Sequence, residues 1–244
     1  MLFQILYYGS LIIIVPGIIF AFIAQILVSV NFKKYSKVSS SRGITADEAS
    51  RRLLRDHGCY GVSVQPISGN LTDNYNPSTD ALSLSESVFG SSSIAAIGVA
   101  AHECGHACQK YEGSFLMKLR SFLVPVTNIG SRLAVPVAVI GLIIELLIGG
   151  ADNNVGTYIL AFGIFLYSLT TIFALVTLPV EFNASHRALK MLKEDDILDS
   201  SELKGARKVL TAAALTYVAS LVVSFLYLLR FILIIGSLRG KRND

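Results

Sequence analysis

The chain contains no tryptophan, three cysteines, four histidines and six prolines, and charged side chains make up only 16% of its 244 residues. Each scarcity removes a class of protein. Cys59, Cys104 and Cys108 are odd in number and form no C-x-x-C pair, which argues against a disulfide scaffold. Their bland reading is small apolar residues packing helices. The net charge of +4 is modest, and no arginine-rich run or recognition motif accompanies it, so nucleic acid is not an expected partner. What fills the space left by charge is apolar: 52% of residues are hydrophobic and the mean hydropathy is +0.58. That balance points to membrane spans and a lipid bilayer as partner.

Four apolar runs are long enough, or nearly so, to cross a bilayer, which takes about 20 residues. They cover 8–30, 133–148, 156–180 and 212–235. No positive charge precedes the first run and no small-residue cleavage site follows it, so a removable signal peptide is not expected. Lys33, Lys34 and Lys37 follow immediately. The positive-inside bias then puts the chain from residue 31 onward in the cytoplasm. "GGADNNVG" between the second and third runs suits an external turn. The fourth run ends in "RGKRND", a basic tail that this topology would place outside, against the same bias.

The expected organisation is therefore a first span (1–30), a cytoplasmic region (31–132), the second and third spans (133–180), a cytoplasmic helix (181–211), and a fourth membrane segment with its tail (212–244). Within 31–132, "TADEASRRLLRDHG" reads as a surface helix with Thr45 as N-cap and Gly58 at its end. "YGVSVQPIS" and "ALSLSESVF" read as short strands around the turn-rich "GNLTDNYNPSTD". "SSSIAAIGVAAHECGHACQKYEG" reads as a helix with serine caps in front and Gly113 behind. The fold class is mainly α: a polytopic membrane protein with an active-site helix and a small β element on the cytoplasmic side.

The chemistry lies in "AAHECGHACQ". Residues i and i+4 share a helical face, so His102 and His106 can offer ring nitrogens to one metal ion. Glu103, beside the first histidine, has the position of a general base in zinc hydrolases. It is the only charge within 99–108. A buried carboxylate is costly without a compensating group, and a metal would provide one. Gly105 is expected to leave the helix surface open beside His106. A catalytic zinc site needs a third protein ligand. Glu181, His186, His57, Asp73 and Glu86 are the candidates. Glu181 stands out because an acid at the end of an apolar helix is by default functional. Its competing reading is an interfacial carboxylate paired with Arg187. His186 lies about 140° around a helix from Glu181, so one helix would hardly present both to one metal. His57 suits a helix C-terminus.

"SIAAIGVAAHECGHACQ", "GNLTDNYNPSTDALSLSESVF" and "TLPVEFNASHRALKML" together resemble the YugP-type neutral zinc metallopeptidases of bacterial membranes. The similarity runs over nearly the whole chain. The arrangement is more distantly similar to the HtpX and CAAX prenyl protease group, whose active sites face the cytoplasm. The resemblance implies a zincin-like, multi-pass protein of the bacterial cell membrane that cleaves peptide or membrane-protein substrates with Zn2+. It implies His102, His106 and Glu181 as ligands and Glu103 as base. His186 and Tyr75 become candidates for stabilising the transition state, with Asp73 and Asn183 as candidates for orienting a ligand histidine. Leu82, Ser83, Leu84 and Ser85 become the candidate strand for pairing with an extended peptide. Two positions depart from these patterns. Asn74 and Asn76 stand in a loop that elsewhere reads closer to "LTDHYDP", and Ser185 stands where the HtpX-like pattern carries an aspartate. These departures motivate a competing expectation, a non-catalytic membrane scaffold or partner-binding protein with structural or lost zinc.

Overall fold

The computed structural model describes residues 2–148 and 154–240. The elements in chain order are α1 (Leu2–Tyr35), α2 (Ala46–Asp56), β1 (Ser63–Ile67), β2 (Asn74–Asn76), β3 (Ala81–Ser85), α3 (Ile94–Tyr111), α4 (Phe115–Ile148), α5 (Val155–Glu194) and α6 (Ser200–Gly240). The chain divides into two compact units. The first takes the described residues of Met1–Phe22, Leu119–Thr177 and Val218–Asp244; the second takes Ile23–Lys118 and Leu178–Tyr217.

Among the described residues, four helices, α1, α4, α5 and α6, are long and apolar enough to cross a membrane. They display large apolar side chains outward, among them Ile12, Phe22, Ile129 and Phe162. A bilayer would cover such a surface; water would not. In the first unit, α4 and α5 approach closely through small residues. A Cβ added at Gly163 would lie 3.0 Å from the Ala138 Cβ, and one at Gly141 would lie 2.6 Å from the Leu160 backbone nitrogen. This is the close approach that small residues permit between helices in lipid. Thr157 Oγ1 donates to Glu145 Oε2 at 3.1 Å, so that carboxylate has a partner inside the same unit.

Two expected boundaries move. The second candidate span begins at Phe115, not near residue 133. Arg120, Ser121, Asn128, Ser131 and Arg132 dilute its first half, so hydropathy alone shortens it. The expected cytoplasmic helix 181–211 is not one element. Its first part is the end of α5, which passes Pro179 without a break. Its second part opens α6 after a turn around Asp196, which has φ 53°. Proline is tolerated inside apolar spanning helices because neighbouring groups satisfy the freed carbonyl. The turn "GGADNNVG" and the tail after Gly240 lie largely outside the described residues.

The second unit is built on local signals that the sequence carries. Thr45 caps α2 and exchanges hydrogen bonds with Glu48, a capping box. Gly58, at φ +78°, lets the chain turn away after it. Asp199 and Glu202 form the same reciprocal arrangement at the start of α6. Ser93 Oγ accepts the Ala96 N–H to begin α3, and Gly113, at φ +73°, follows its end. The sheet order is β1-β3-β2, with β1 parallel and β2 antiparallel to β3. The core gathers Leu53 of α2, Leu82 and Leu84 of β3, Ile97 of α3, and Leu192 and Ile197 around the end of α5. At about 25 cal/mol per Å² of buried apolar area, a fully buried leucine or isoleucine contributes roughly 1.5–3 kcal/mol. This core is what holds α3 rigidly between the sheet and α5.

Candidate metal centre

Gly105 decides how close α5 comes. A Cβ there would stand 2.6 Å from the Ala184 carbonyl oxygen, nearer than real Cβ contacts allow. The expected open helix surface is instead filled by the backbone of α5. Ala184 is itself fully buried. One helical turn before it, Glu181 projects from the same face toward α3.

Among the described residues, one group of His, Cys, Asp and Glu side chains could hold a metal ion: His102, His106 and Glu181, with ligand atoms within 4.8 Å of one another. Glu181 Oε2 lies 3.1 Å from His102 Nε2 and 3.4 Å from His106 Nε2. The two imidazole rings meet edge to face at 84°. Glu181 is 1% exposed and His106 is buried. Glu181 is therefore not paired with Arg187, which forms a two-pronged bridge to Glu112 instead.

The far side of each ring is also engaged. His106 Nδ1 lies 3.0 Å from Gln109 Oε1. The Gln109 amide nitrogen donates to the Val180 carbonyl at 2.8 Å and to Asn183 Oδ1 at 2.9 Å. Those two acceptors fix which end of the amide is nitrogen, so the end facing His106 is the carbonyl oxygen. An oxygen there calls for a proton on Nδ1, and a metal ion bound on the Glu181 side would use the Nε2 lone pair that the neutral ring then keeps. Asn183 is in turn held by Arg187 Nε at 2.8 Å. His102 Nδ1 meets Ser185 Oγ at 3.1 Å, where the hydroxyl can accept the same kind of proton. The donor set, two imidazole Nε2 atoms and one carboxylate oxygen, is that of open zinc sites, and the outward hydrogen bonds are of the kind that orients metal-bound histidines. The residues present thus fit a zinc ion.

Glu103, next to His102 on α3, is 9% exposed. Burial pushes its carboxyl up to about 7; the neighbouring His102 opposes this, and Glu181 and Asp73 add to it. A hydrogen bond from the Tyr75 backbone N–H favours the charged form. Asp73 accepts the Ser85 N–H at 2.8 Å and the Ser85 hydroxyl at 2.9 Å, which ties the start of β2 to the end of β3. Burial holds the Asp73 carboxyl above its ordinary range.

Several other candidates take different places. Tyr75 directs its hydroxyl to Asp80 Oδ1 at 2.5 Å, where Lys110 Nζ also binds at 2.7 Å. That hydroxyl is therefore committed away from the ligand cluster. His186 is exposed and lines a groove with Lys190 and Arg207. Asn183 reaches His106 only through Gln109. His57 contacts Asp195 at 3.2 Å, and Glu86 is exposed. Leu82, Ser83, Leu84 and Ser85 cannot serve as the free peptide-pairing strand. They lie in the middle strand, with β1 on one side, β2 opposite 81–83 on the other, and the Ser85 N–H taken by Asp73. On β2 it is the Tyr75 backbone N–H that reaches Glu103. Gln109 and Ser185 were visible in the sequence, but they are uncharged residues whose role only the crossing of α3 and α5 reveals.

Residues 10–236 match the family described as "Putative neutral zinc metallopeptidase". The chain is 44% identical over 214 residues to "Putative membrane protease YugP" of Bacillus subtilis (strain 168), covering 88% of this chain and 91% of that protein. No solved structure matches the chain. On the match across almost its full length and on this relative, the chain belongs to the neutral zinc metallopeptidase family so described.

Proposed function

We propose that the protein is a zinc metalloendopeptidase of the bacterial cell membrane that cleaves peptide or membrane-protein substrates on the cytoplasmic side. The observation that carries this reading is the convergence of His102 Nε2, His106 Nε2 and a Glu181 oxygen within 4.8 Å, with Glu103 next in the same buried helix. His102, His106 and Glu181 would hold the zinc ion, which supplies Lewis acidity to the scissile carbonyl and acidifies water. Gln109 and Ser185 keep the two rings in the tautomer that ligation needs. Glu103 accepts the proton of the attacking water as its oxygen bonds to the carbonyl carbon, and then delivers that proton to the leaving amine as the C–N bond breaks. A carboxyl raised toward neutrality by burial suits both halves of that transfer.

The substrate backbone pairs with the outer edge of β2, in place of the middle strand. Support comes from the Tyr75 N–H, which reaches Glu103. Extended peptides add to exposed sheet edges in this way. The cytoplasmic orientation is supported by Lys33, Lys34 and Lys37 directly after the first apolar run.

Glu103→Gln in purified full-length protein tests the reaction. The expected outcome is unchanged zinc content with cleavage of an unfolded membrane substrate reduced by about 10²–10⁴-fold. Unchanged cleavage with zinc retained would rule the mechanism out.

A further inference from the structure

A second feature of the Leu178–Tyr217 segment is not used by peptide hydrolysis. A groove of about 460 Å³ runs between α5 and α6. Lys190, Lys193 and His186 line it from α5, and Arg207 and Thr211 line it from α6. On α5 the spacing is i, i+4, i+7, and on α6 it is i, i+4, so each helix points its polar residues at one face. Phe182, Leu189 and Leu210 form its apolar wall. Among the described residues no acid lines it; Glu194 pairs with Lys190 at 3.8 Å, exposed to solvent. The segregation is pronounced, because acids are abundant nearby in sequence at Glu194, Asp195, Asp196 and Asp199.

The position along each helix matters as much as the charge. The groove begins at Phe182, just after the apolar run 156–180 ends. On α6 Arg207 and Thr211 immediately precede the run that starts at Ala212. At 1.5 Å per residue, His186 and Arg207 lie roughly 8–9 Å beyond the apolar runs, and Lys190 about one turn further. The headgroup layer is about 5–7 Å thick on each side of the hydrocarbon core, so His186 and Arg207 stand at its outer limit and the long Lys190 and Lys193 side chains reach back toward it. An occupant must therefore combine negative charge with apolar surface.

We propose that this groove binds the phosphate headgroup of an anionic phospholipid. Lys190, Lys193 and Arg207 contact the phosphate, Thr211 supplies a neutral donor, and Phe182 and Leu210 pack against the first methylenes of the acyl chains. Basic pockets between membrane helices recognise anionic headgroups on these grounds. Ser185 belongs both to the groove lining and to the hydrogen bond on His102, so a bound lipid would sit next to the proposed metal centre.

The test is titration of purified full-length protein in neutral detergent with a fluorescent phosphatidylglycerol, and with phosphatidylcholine as the zwitterionic counterpart. The phosphatidylglycerol is expected to bind at least about tenfold more tightly. The triple variant Lys190→Gln, Lys193→Gln, Arg207→Gln should weaken it by about 10–100-fold. A control triple, Lys33→Gln, Lys34→Gln, Lys37→Gln, should change it by less than about twofold. Zinc content of the groove variants reports that the fold is kept. If the triple variant does not fold, the singles Lys193→Gln and Arg207→Gln are each expected to weaken binding about fivefold. Millimolar glycerol phosphate and an acidic peptide should leave the lipid bound. Equal losses in the two triples, equal binding of both lipids, displacement by glycerol phosphate, or displacement by the acidic peptide would each overturn the proposal.

Discussion

Gln109 is the residue whose role is least apparent from its type. It carries no charge and binds no metal, yet it determines which nitrogen of His106 is free to do so. Replacing it with leucine should remove the acceptor on Nδ1 and the amide hydrogen bonds that tie α3 to the Val180 carbonyl and Asn183 of α5. Loss of such an orienting partner costs about 10–100-fold in metal affinity. Competition against a calibrated zinc chelator should show that loss in Gln109→Leu. It should also show a loss in Ser185→Ala, with Ser185→Asp recovering much of it. The candidate ligand cluster was largely legible at this scale. The i, i+4 histidines and the adjacent glutamate are fixed by helical periodicity, and Glu181 was marked by standing at the end of an apolar run. The outward partners were not legible, because nothing in a single sequence tells which glutamine or serine of two distant helices will meet.

At the scale of elements, the contact between α3 and α5 is set by a missing side chain. Gly105→Ala would drive a methyl group into the Ala184 carbonyl, which cannot yield without moving α5. Overpacking of this kind costs about 1–3 kcal/mol. The expected result is a lower thermal midpoint together with weaker zinc binding, whereas a mutation that only harms packing elsewhere would lower the midpoint alone. The sheet is clamped to α3 by Asp80, which accepts from Tyr75 and Lys110. Those bonds, Lys110 first, hold the Asp80 carboxyl below its ordinary value. The folded chain therefore takes up that proton at lower pH than the unfolded chain. Stability from the clamp is present above an aspartate's ordinary value, about 4, and is lost as pH falls through the lower folded value. Thermal midpoints of wild type and Asp80→Asn should differ at pH 7, and the gap should narrow as pH falls below an aspartate's ordinary value. The capped helices were readable from Thr45, Ser93 and Gly113. Strand β2 was not, since Asn74-Tyr75-Asn76 has the composition of a turn and is held extended by β3 and by the Asp73–Ser85 bonds.

For the whole molecule, hydropathy found the four helices that, among the described residues, are long and apolar enough to span a membrane, but misjudged their ends. Polar residues at 120–132 hid the first half of α4, and Pro179 suggested a break in α5 where none exists. The proposed orientation of the molecule rests on Lys33, Lys34 and Lys37. With Cys59, Cys104 and Cys108 buried and free, a Lys37→Cys variant offers one exposed thiol. Labelling of intact cells with a membrane-impermeant maleimide should fail at that position and succeed after permeabilisation. Labelling of intact cells would place the segment outside and reverse the proposed sidedness.

The central claim is that zinc is held by His102, His106 and Glu181. X-ray absorption at the zinc edge of the purified full-length protein tests it most directly. The prediction is about one zinc per chain with nitrogen and oxygen ligands only, near 2.0–2.1 Å, and loss of that metal in His102→Ala. A sulfur shell near 2.3 Å, which would point to Cys104 or Cys108, or a native protein that binds no zinc, would contradict the account.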